Sequence, residues 1–384
     1  MPLELERLPR GYPRKFVAED FRLNGWSDLE PYFGDLMARH LGAVEEAERW
    51  LADLSELLSV IFEERSVRYI RMTCDTANGE YERAYLRFVE EIEPKLKPAI
   101  QRLMEKFVQS SAAGKLPEDR YFVLLRSFRN QVELFREENV PLEVEEQKLT
   151  QRYQKITGAM TVTIKGRELT LQQAARYLED PDRGVRREAW EKTAERRLRD
   201  RDELNRLFDE LLSLRQRIAA NAGFDDYRAY AFKKRERFDY TPGDCEAFHA
   251  AVERYVVPVL VSLQEKRKAE LGVKRLRPWD LEVDPSGKPP LRPFEDTKEL
   301  VEGVSEIFEG LDRELGELFS ILPRYRLLDL ESRKGKAPGG YQATLAERRL
   351  PFIFMNAAGR HRDLRTLLHE AGHSFHTLLS REEP

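Results

Sequence analysis

The stretch Thr366-Leu367-Leu368-His369-Glu370-Ala371-Gly372-His373-Ser374-Phe375-His376 decides how this chain reads. Histidines four apart lie on one face of an α-helix, roughly 6 Å apart along its axis. Two imidazoles so placed converge on one ion at Zn–N distances of about 2.0–2.1 Å. Glu370 points partly to the same side and reaches water beside the ion without ligating it. Zinc draws the pKa of such water towards about 7. Glu370 is then the candidate general base, a role worth about 10²–10⁴ in rate. His369 and His373 are the candidate metal ligands.

The surrounding pattern supports a helix. Leu364, Leu367, Leu368, Ala371, Phe375, Leu378 and Leu379 recur at helical spacing and form an apolar face. Asp363 falls in the expected first turn, where a negative charge suits the helix dipole. Gly372 costs about 1 kcal/mol in a helix interior, so a neighbour approaching closely is expected there. The chain holds six histidines, and His361, His369, His373 and His376 are four of them. Such clustering in a histidine-poor chain argues against a chance match to the His-Glu-x-x-His pattern of zinc peptidases.

A catalytic zinc takes three protein ligands. His376 is a poor third, because it lies roughly 10 Å beyond His369 along the helix. The metzincin pattern requires Gly at 376 and His at 379, where this chain has His376 and Leu379. Glu382 and Glu383 would need a sharp reversal after Ser380, and a solvated tail is the plainer reading. After the motif, then, the chain to Pro384 has almost no room left to supply a third ligand. The Leu378–Leu379 face is expected to be exposed, as in a unit cut mid-way.

Composition bounds the rest. The 384 residues are 35% charged and 41% hydrophobic, with a net charge of −4 and both signs interspersed. This is not a nucleic-acid or membrane footprint. Lys233-Lys234-Arg235-Glu236-Arg237 is short and interrupted, and reads as a solvated helix face. Two cysteines, Cys74 and Cys245, give neither a disulfide framework nor a thiolate metal site. The charged N-terminus lacks a signal-type apolar segment, and no apolar run nears the about 20 residues of a membrane span. A cytoplasmic protein is the expectation.

The dominant period is helical. Leu96, Ile100, Leu103, Met104 and Phe107 form one stripe. Leu124, Leu125, Phe128, Val132 and Phe135 form a second, and Leu204, Leu207, Phe208, Leu211, Leu212 and Ile218 a third. Strand signals are few. Met160 to Ile164 is β-prone with a turn at Lys165-Gly166, and Thr170 with Gln173 predicts a capping box. Asp180-Pro181 predicts a helix start with Asp as N-cap. Pro278 to Pro293 reads as a loop. A boundary near 160–175 divides an N-terminal helical domain, 1–170, from the first part of a catalytic domain, 171–384. Just before the motif, Arg333 to Gly340 is a basic, glycine-containing loop. Tyr341 to Leu345 and Leu350 to Met355 are candidate strands, and Asn356 to Gly359 turns the chain into the helix. A strand edge there serves either peptide binding by β-addition or a small structural hairpin.

Three segments carry a resemblance. Gly335-Lys336-Ala337-Pro338-Gly339-Gly340-Tyr341, Pro351-Phe352-Ile353-Phe354-Met355-Asn356, and Thr366 to His376 together resemble the oligoendopeptidase F group of thimet-oligopeptidase-like zinc peptidases. More weakly, Gly25-Trp26-Ser27-Asp28-Leu29, Leu178 to Arg183 with Arg186, and Ala222-Gly223-Phe224 resemble the same group. The resemblance implies a mainly α fold, a two-lobed helical zincin with a deep substrate channel and a few short strands beside the zinc helix. It implies one zinc ion, with His369 and His373 as ligands and Glu370 as catalytic base. Gly339, Gly340 and Tyr341 match a segment lining the substrate cleft. Short peptides are the implied substrates, cleaved internally. The group's third zinc ligand, a glutamate, and its His and Tyr oxyanion donors match nothing in these residues. The C-terminal part is thus expected in cis or as a separate fragment, and the 384 residues alone are expected to turn over little. Rival readings are a helical zinc carboxypeptidase and a non-catalytic helical peptide-binding protein with a relic motif.

Overall fold

The computed structural model describes residues 8–383, and helices dominate them. In the first half run α1 (Trp26–Ala38), α2 (Val44–Cys74), α3 (Gly79–Arg87), α4 (Glu93–Gln109), α5 (Glu118–Leu134) and α6 (Asn139–Gly158). A hairpin of β1 (Thr161–Ile164) and β2 (Arg167–Thr170) follows, then α7 (Leu171–Ala174), α8 (Arg183–Arg199), α9 (Arg201–Asn221) and α10 (Tyr227–Lys234). Next come α11 (Pro242–Ala251), α12 (Val257–Glu270), α13 (Thr297–Leu311) and α14 (Arg313–Arg324). The chain then enters β3 (Leu328–Glu331), β4 (Tyr341–Leu345), β5 (Leu350–Ala357) and α15 (His361–Leu379). Among the described residues no helix is long and apolar enough to cross a membrane.

Proline leaves its mark twice. Pro94 and Pro258 each lack an N–H to continue the ladder, and the residues just before them, Phe88–Ile92 and Val252–Val256, wind as single π-turns. The first two apolar stripes are core as expected: Leu96, Leu103, Met104, Phe107, Leu125 and Phe128 are buried with Trp50 and Leu57 of α2. The third stripe is only half so. Leu207 and Ile218 are buried, but Phe208 and Leu212 face outward. Lys233 and Lys234 are not a free solvated face either; they pair with Glu133 of α5 and Glu143 of α6.

The β1–β2 turn falls at Lys165 (φ 49°) and Gly166 (φ 76°), both left-handed, as a type I′ hairpin turn requires. The capping box at Thr170 forms, with Thr170 Oγ1 accepting from Gln173 N at 3.2 Å and Gln173 Oε1 from Thr170 N at 2.9 Å. The next helix starts two residues later than expected. Asp182, not Asp180, caps α8, because Asp180 closes a tight turn onto Asp182 N at 2.8 Å.

The sheet that positions the motif has the order β3-β5-β4, with β3 parallel and β4 antiparallel to β5. β5 is the central strand and nearly all its residues are buried, as a strand covered on both faces must be. Its Pro351 is tolerated because β3 pairs only from Ile353 onward, leaving Pro351 opposite Thr344 alone. α15 packs on this sheet with α13 and α14, and Leu367, Ala371, Phe375 and Leu378 join Phe308, Phe319 and Phe354 in one core. Val67, Ile70 and Cys74 belong to the same core, so α2 runs from the first helical layer into the sheet.

Candidate active site

α15 is held at both ends. Asp363 Oδ2 accepts from Arg360 N at 2.9 Å and from Ala358 N at 2.7 Å, so this acidic residue closes the N-terminus. At the other end Ser380 Oγ donates to His376 O at 2.8 Å. Arg349, in the β4–β5 turn, donates to the carbonyl of Arg381. That turn is itself fixed to α2 by the buried Arg348–Glu63 ion pair and by Arg348 N donating to Glu63 Oε2 at 2.9 Å.

On this helix the His369 and His373 rings stand 4.9 Å apart between centroids, edge to face at 89°. Both are exposed, while Glu370 between them is 7% exposed. A ring bound at about 2.0–2.1 Å has its centroid roughly 3.2 Å from the metal, so two rings meeting at a tetrahedral angle stand roughly 5.2 Å apart. The observed spacing fits one shared ion. No hydrogen bond ties the His369, His373 or Glu370 side chains to protein among the described residues. No group of three or more His, Cys, Asp or Glu side chains able to hold a metal occurs among those residues. His376 is exposed and Glu382 accepts from Tyr12 Oη at 2.7 Å, so neither completes a metal site. Two expectations fail here. Leu378 is buried, and only Leu379 is exposed. A Cβ on Gly372 would meet nothing within 4 Å among the described residues, so no close neighbour there explains this glycine.

Gly339 and Gly340 are exposed and line a cavity of about 310 Å³ that Thr366 also borders, one turn ahead of the histidines. Gly339 has φ 93°, a conformation side chains resist. A Cβ on Gly340 would sit in ordinary van der Waals contact with Phe354 O at 3.4 Å and Thr366 Cγ2 at 3.5 Å, so a small side chain has room there. Tyr341 is engaged internally. Its ring stacks on Phe354 at 4.7 Å and its hydroxyl lies 2.6 Å from Thr73 Oγ1. Burial pushes its phenol well above the ordinary value. β4 has no strand on its outer edge among the described residues, and its Gln342 and Thr344 side chains meet Thr377 of α15 at 3.2 Å.

A buried ion pair beneath the sheet is the feature the sequence hid. Lys336, in the basic loop, has a fully buried side chain. Its ammonium donates to Asp329 Oδ1 (2.8 Å), Asp329 O (2.9 Å) and Glu331 O (3.0 Å), and also to Met355 O. It thereby fills the irregularity where the β3–β5 register shifts between Asp329 and Glu331. The Phe354 ring lies 4.4 Å from the same ammonium. Arg333 grips Asp329 in bidentate fashion at 2.6 and 2.7 Å. Burial alone would raise the Asp329 carboxyl, but the Arg333 hydrogen bonds and the Lys336 charge outweigh it and hold it well below the usual range. Burial, with the Asp329 charge, pushes the Cys74 thiol up to about 12. The loop's backbone is clamped too: Gly335 N donates to Gly158 O at 3.0 Å and Thr76 N to Gly335 O at 2.6 Å. A Cβ on Gly158 would fall 2.8 Å from Lys336 O, so only glycine fits this crossing.

The helical fold carrying a His-Glu-x-x-His helix on a small mixed sheet matches known proteins. The sequence profile of peptidase family M3 matches residues 176–384, more than half the chain, and that of the peptidase M3 N-terminal domain matches residues 21–135. The chain belongs to peptidase family M3. Among solved structures it resembles a protein assigned as oligoendopeptidase F (TM-score 0.88, 28% identity), covering 94% of this chain and 64% of that one. A Bacillus anthracis strain Ames protein assigned likewise gives 0.88 and 26%, covering 96% and 68%. PZ peptidase A, solved with an inhibitor, gives 0.86 and 28%, covering 93% and 64%. The chain thus spans about two thirds of the length of these relatives. No curated protein matches it.

Proposed function

We propose that this chain carries part of a zinc-dependent endopeptidase of short peptides, with His369 and His373 as two zinc ligands and Glu370 as general base. The observation that carries the reading is the 4.9 Å spacing of two exposed, unengaged imidazoles around a glutamate on one helix, in a chain of peptidase family M3. The third protein ligand comes from outside the described residues. When bound, zinc acidifies water and polarises the peptide carbonyl. Glu370 takes the proton of the attacking water on its carboxylate and delivers it to the leaving amine. The helix itself holds the two rings and the carboxylate in register. Gly339 and Gly340 leave backbone open to the substrate. The outer edge of β4, unpaired and anchored to α15, pairs with an extended peptide by β-addition. The cytoplasmic location and the division into 1–170 and 171–384 form part of the same reading.

The test is cleavage of quenched peptides by the complete protein. Turnover is expected to vanish with a chelator and return with zinc. A peptide amidated at its C-terminus is expected to be cut internally still, which separates this reading from a carboxypeptidase. Absence of chelator-sensitive cleavage across a broad peptide panel contradicts the proposal.

A further inference from the structure

The cavity bordered by Gly339, Gly340 and Thr366 is also lined by Arg197 of α8 and by Arg360 and Arg362 at the start of α15. These three cations differ. Arg360 is committed, donating to Glu179 at 2.7 Å and to Glu282 at 3.1 Å. Arg197 and Arg362 are exposed, and among the described residues no carboxylate pairs with either guanidinium. Asp363, the acid in the cavity wall, turns Oδ2 to the backbone N–H groups of Ala358 and Arg360 and forms no ion pair with either arginine among the described residues. Arg362 sits moreover in the first turn of α15, where the helix dipole disfavours a cation. Local stability does not explain a residue that breaks this preference without a partner, and such departures concentrate where a site is built.

We infer that Arg197 and Arg362 form a carboxylate subsite that fixes one anionic group of the peptide substrate. The inference rests on the peptidase reading above and deepens it. A guanidinium is the side chain suited to bind a carboxylate through two parallel N–H groups. The cavity, about 310 Å³, suits a chain end or one acidic side chain. Arg362 precedes Glu370 by roughly 12 Å along the helix, and an extended peptide spans about 3.3–3.6 Å per residue. The recognised carboxylate therefore lies about three residues from the bond that is cut. That is too far for the removal of a single terminal residue. A C-terminal carboxylate and an Asp or Glu side chain present the same chemistry.

Three labelled peptides of one sequence distinguish them: one with a free C-terminus, one amidated, and one amidated with Glu at the third position beyond the preferred cut. Their binding is read by fluorescence anisotropy on the Glu370→Gln protein, and their kcat/KM on the active protein. If the terminus is read, the free acid is expected to bind about tenfold tighter than both amides; if an acidic side chain is read, the Glu-bearing amide is expected to bind about tenfold tighter than the other two. In Arg197→Gln and Arg362→Gln the gap is expected to close through KM with kcat nearly unchanged, and Arg362→Lys is expected to restore part of it. Equal binding of all three peptides, or a gap that survives both substitutions, overturns the inference. A gap in binding without any cleavage leaves the subsite standing and sinks the peptidase reading; cleavage without the gap does the reverse.

Discussion

The sheet under α15 and the arm formed by α11 and α12 are both rich in apolar residues, and they treat them oppositely. In β5 every residue but Asn356 is buried, and a lysine is taken inside to complete the strand pairing. Between Pro242 and Glu270 no residue is buried. Phe248, Tyr255, Val256, Val257, Val259, Leu260, Val261 and Leu263 all present large exposed surfaces. Among the described residues these side chains form no part of a packed core. Apolar content alone therefore does not locate the core of this chain; long-range pairing does.

Breaking the buried side of the comparison has the largest effect on stability. Asp329→Asn leaves the Lys336 ammonium buried without its counter-charge, and losing one partner of such a pair costs about 3–5 kcal/mol. Urea unfolding at pH 7 reads this as a lower midpoint. The pH dependence sharpens it. The folded carboxyl of Asp329 lies below its unfolded value of about 3.9. Its contribution is therefore complete above that pH and lost as pH falls through the folded value. The gap between wild type and Asp329→Asn is expected to be full at pH 7 and to narrow below pH about 4. An equal gap at pH 3 and pH 7 contradicts this account of the pair.

The smallest effect belongs to the arm. Val259→Asn or Leu260→Asn in α12 is expected to change the unfolding free energy of this chain by less than about 0.5 kcal/mol, as for exposed positions elsewhere. A loss of 2 kcal/mol or more would show that the arm is packed in solution and would erase the contrast.

What the sequence disclosed follows the same division. Local signals were legible: the helix around His369 and His373, the strands at Tyr341 and Leu350, the Lys165-Gly166 turn and the Thr170 capping box each depend on neighbours within a few residues. The family resemblance, carried by the same short segments, pointed to peptidase family M3. Features that depend on distant partners were not legible. β3 is defined only by its parallel pairing with β5. Lys336 reads as one more cation in a basic loop until Asp329, Glu331 and Met355 surround it. The outward face of α12 has the composition of a core helix, and the third stripe lost Phe208 and Leu212 to the surface for the same reason. Helix starts shift by a residue or two when two candidate caps compete, as Asp180 and Asp182 do. Unpaired guanidiniums such as Arg197 and Arg362 are invisible in a chain that is 35% charged, because pairing is a matter of space.

The central claim is that two imidazoles on one helix hold zinc while the carboxylate between them moves the proton. Metal content measured alongside turnover in the Glu370→Gln variant of the complete protein tests it most directly. One zinc per chain, retained, with kcat lowered by about 10²–10⁴, is the expected result. Unchanged turnover in that variant, or zinc that persists when His369 and His373 are both replaced by alanine, would contradict it.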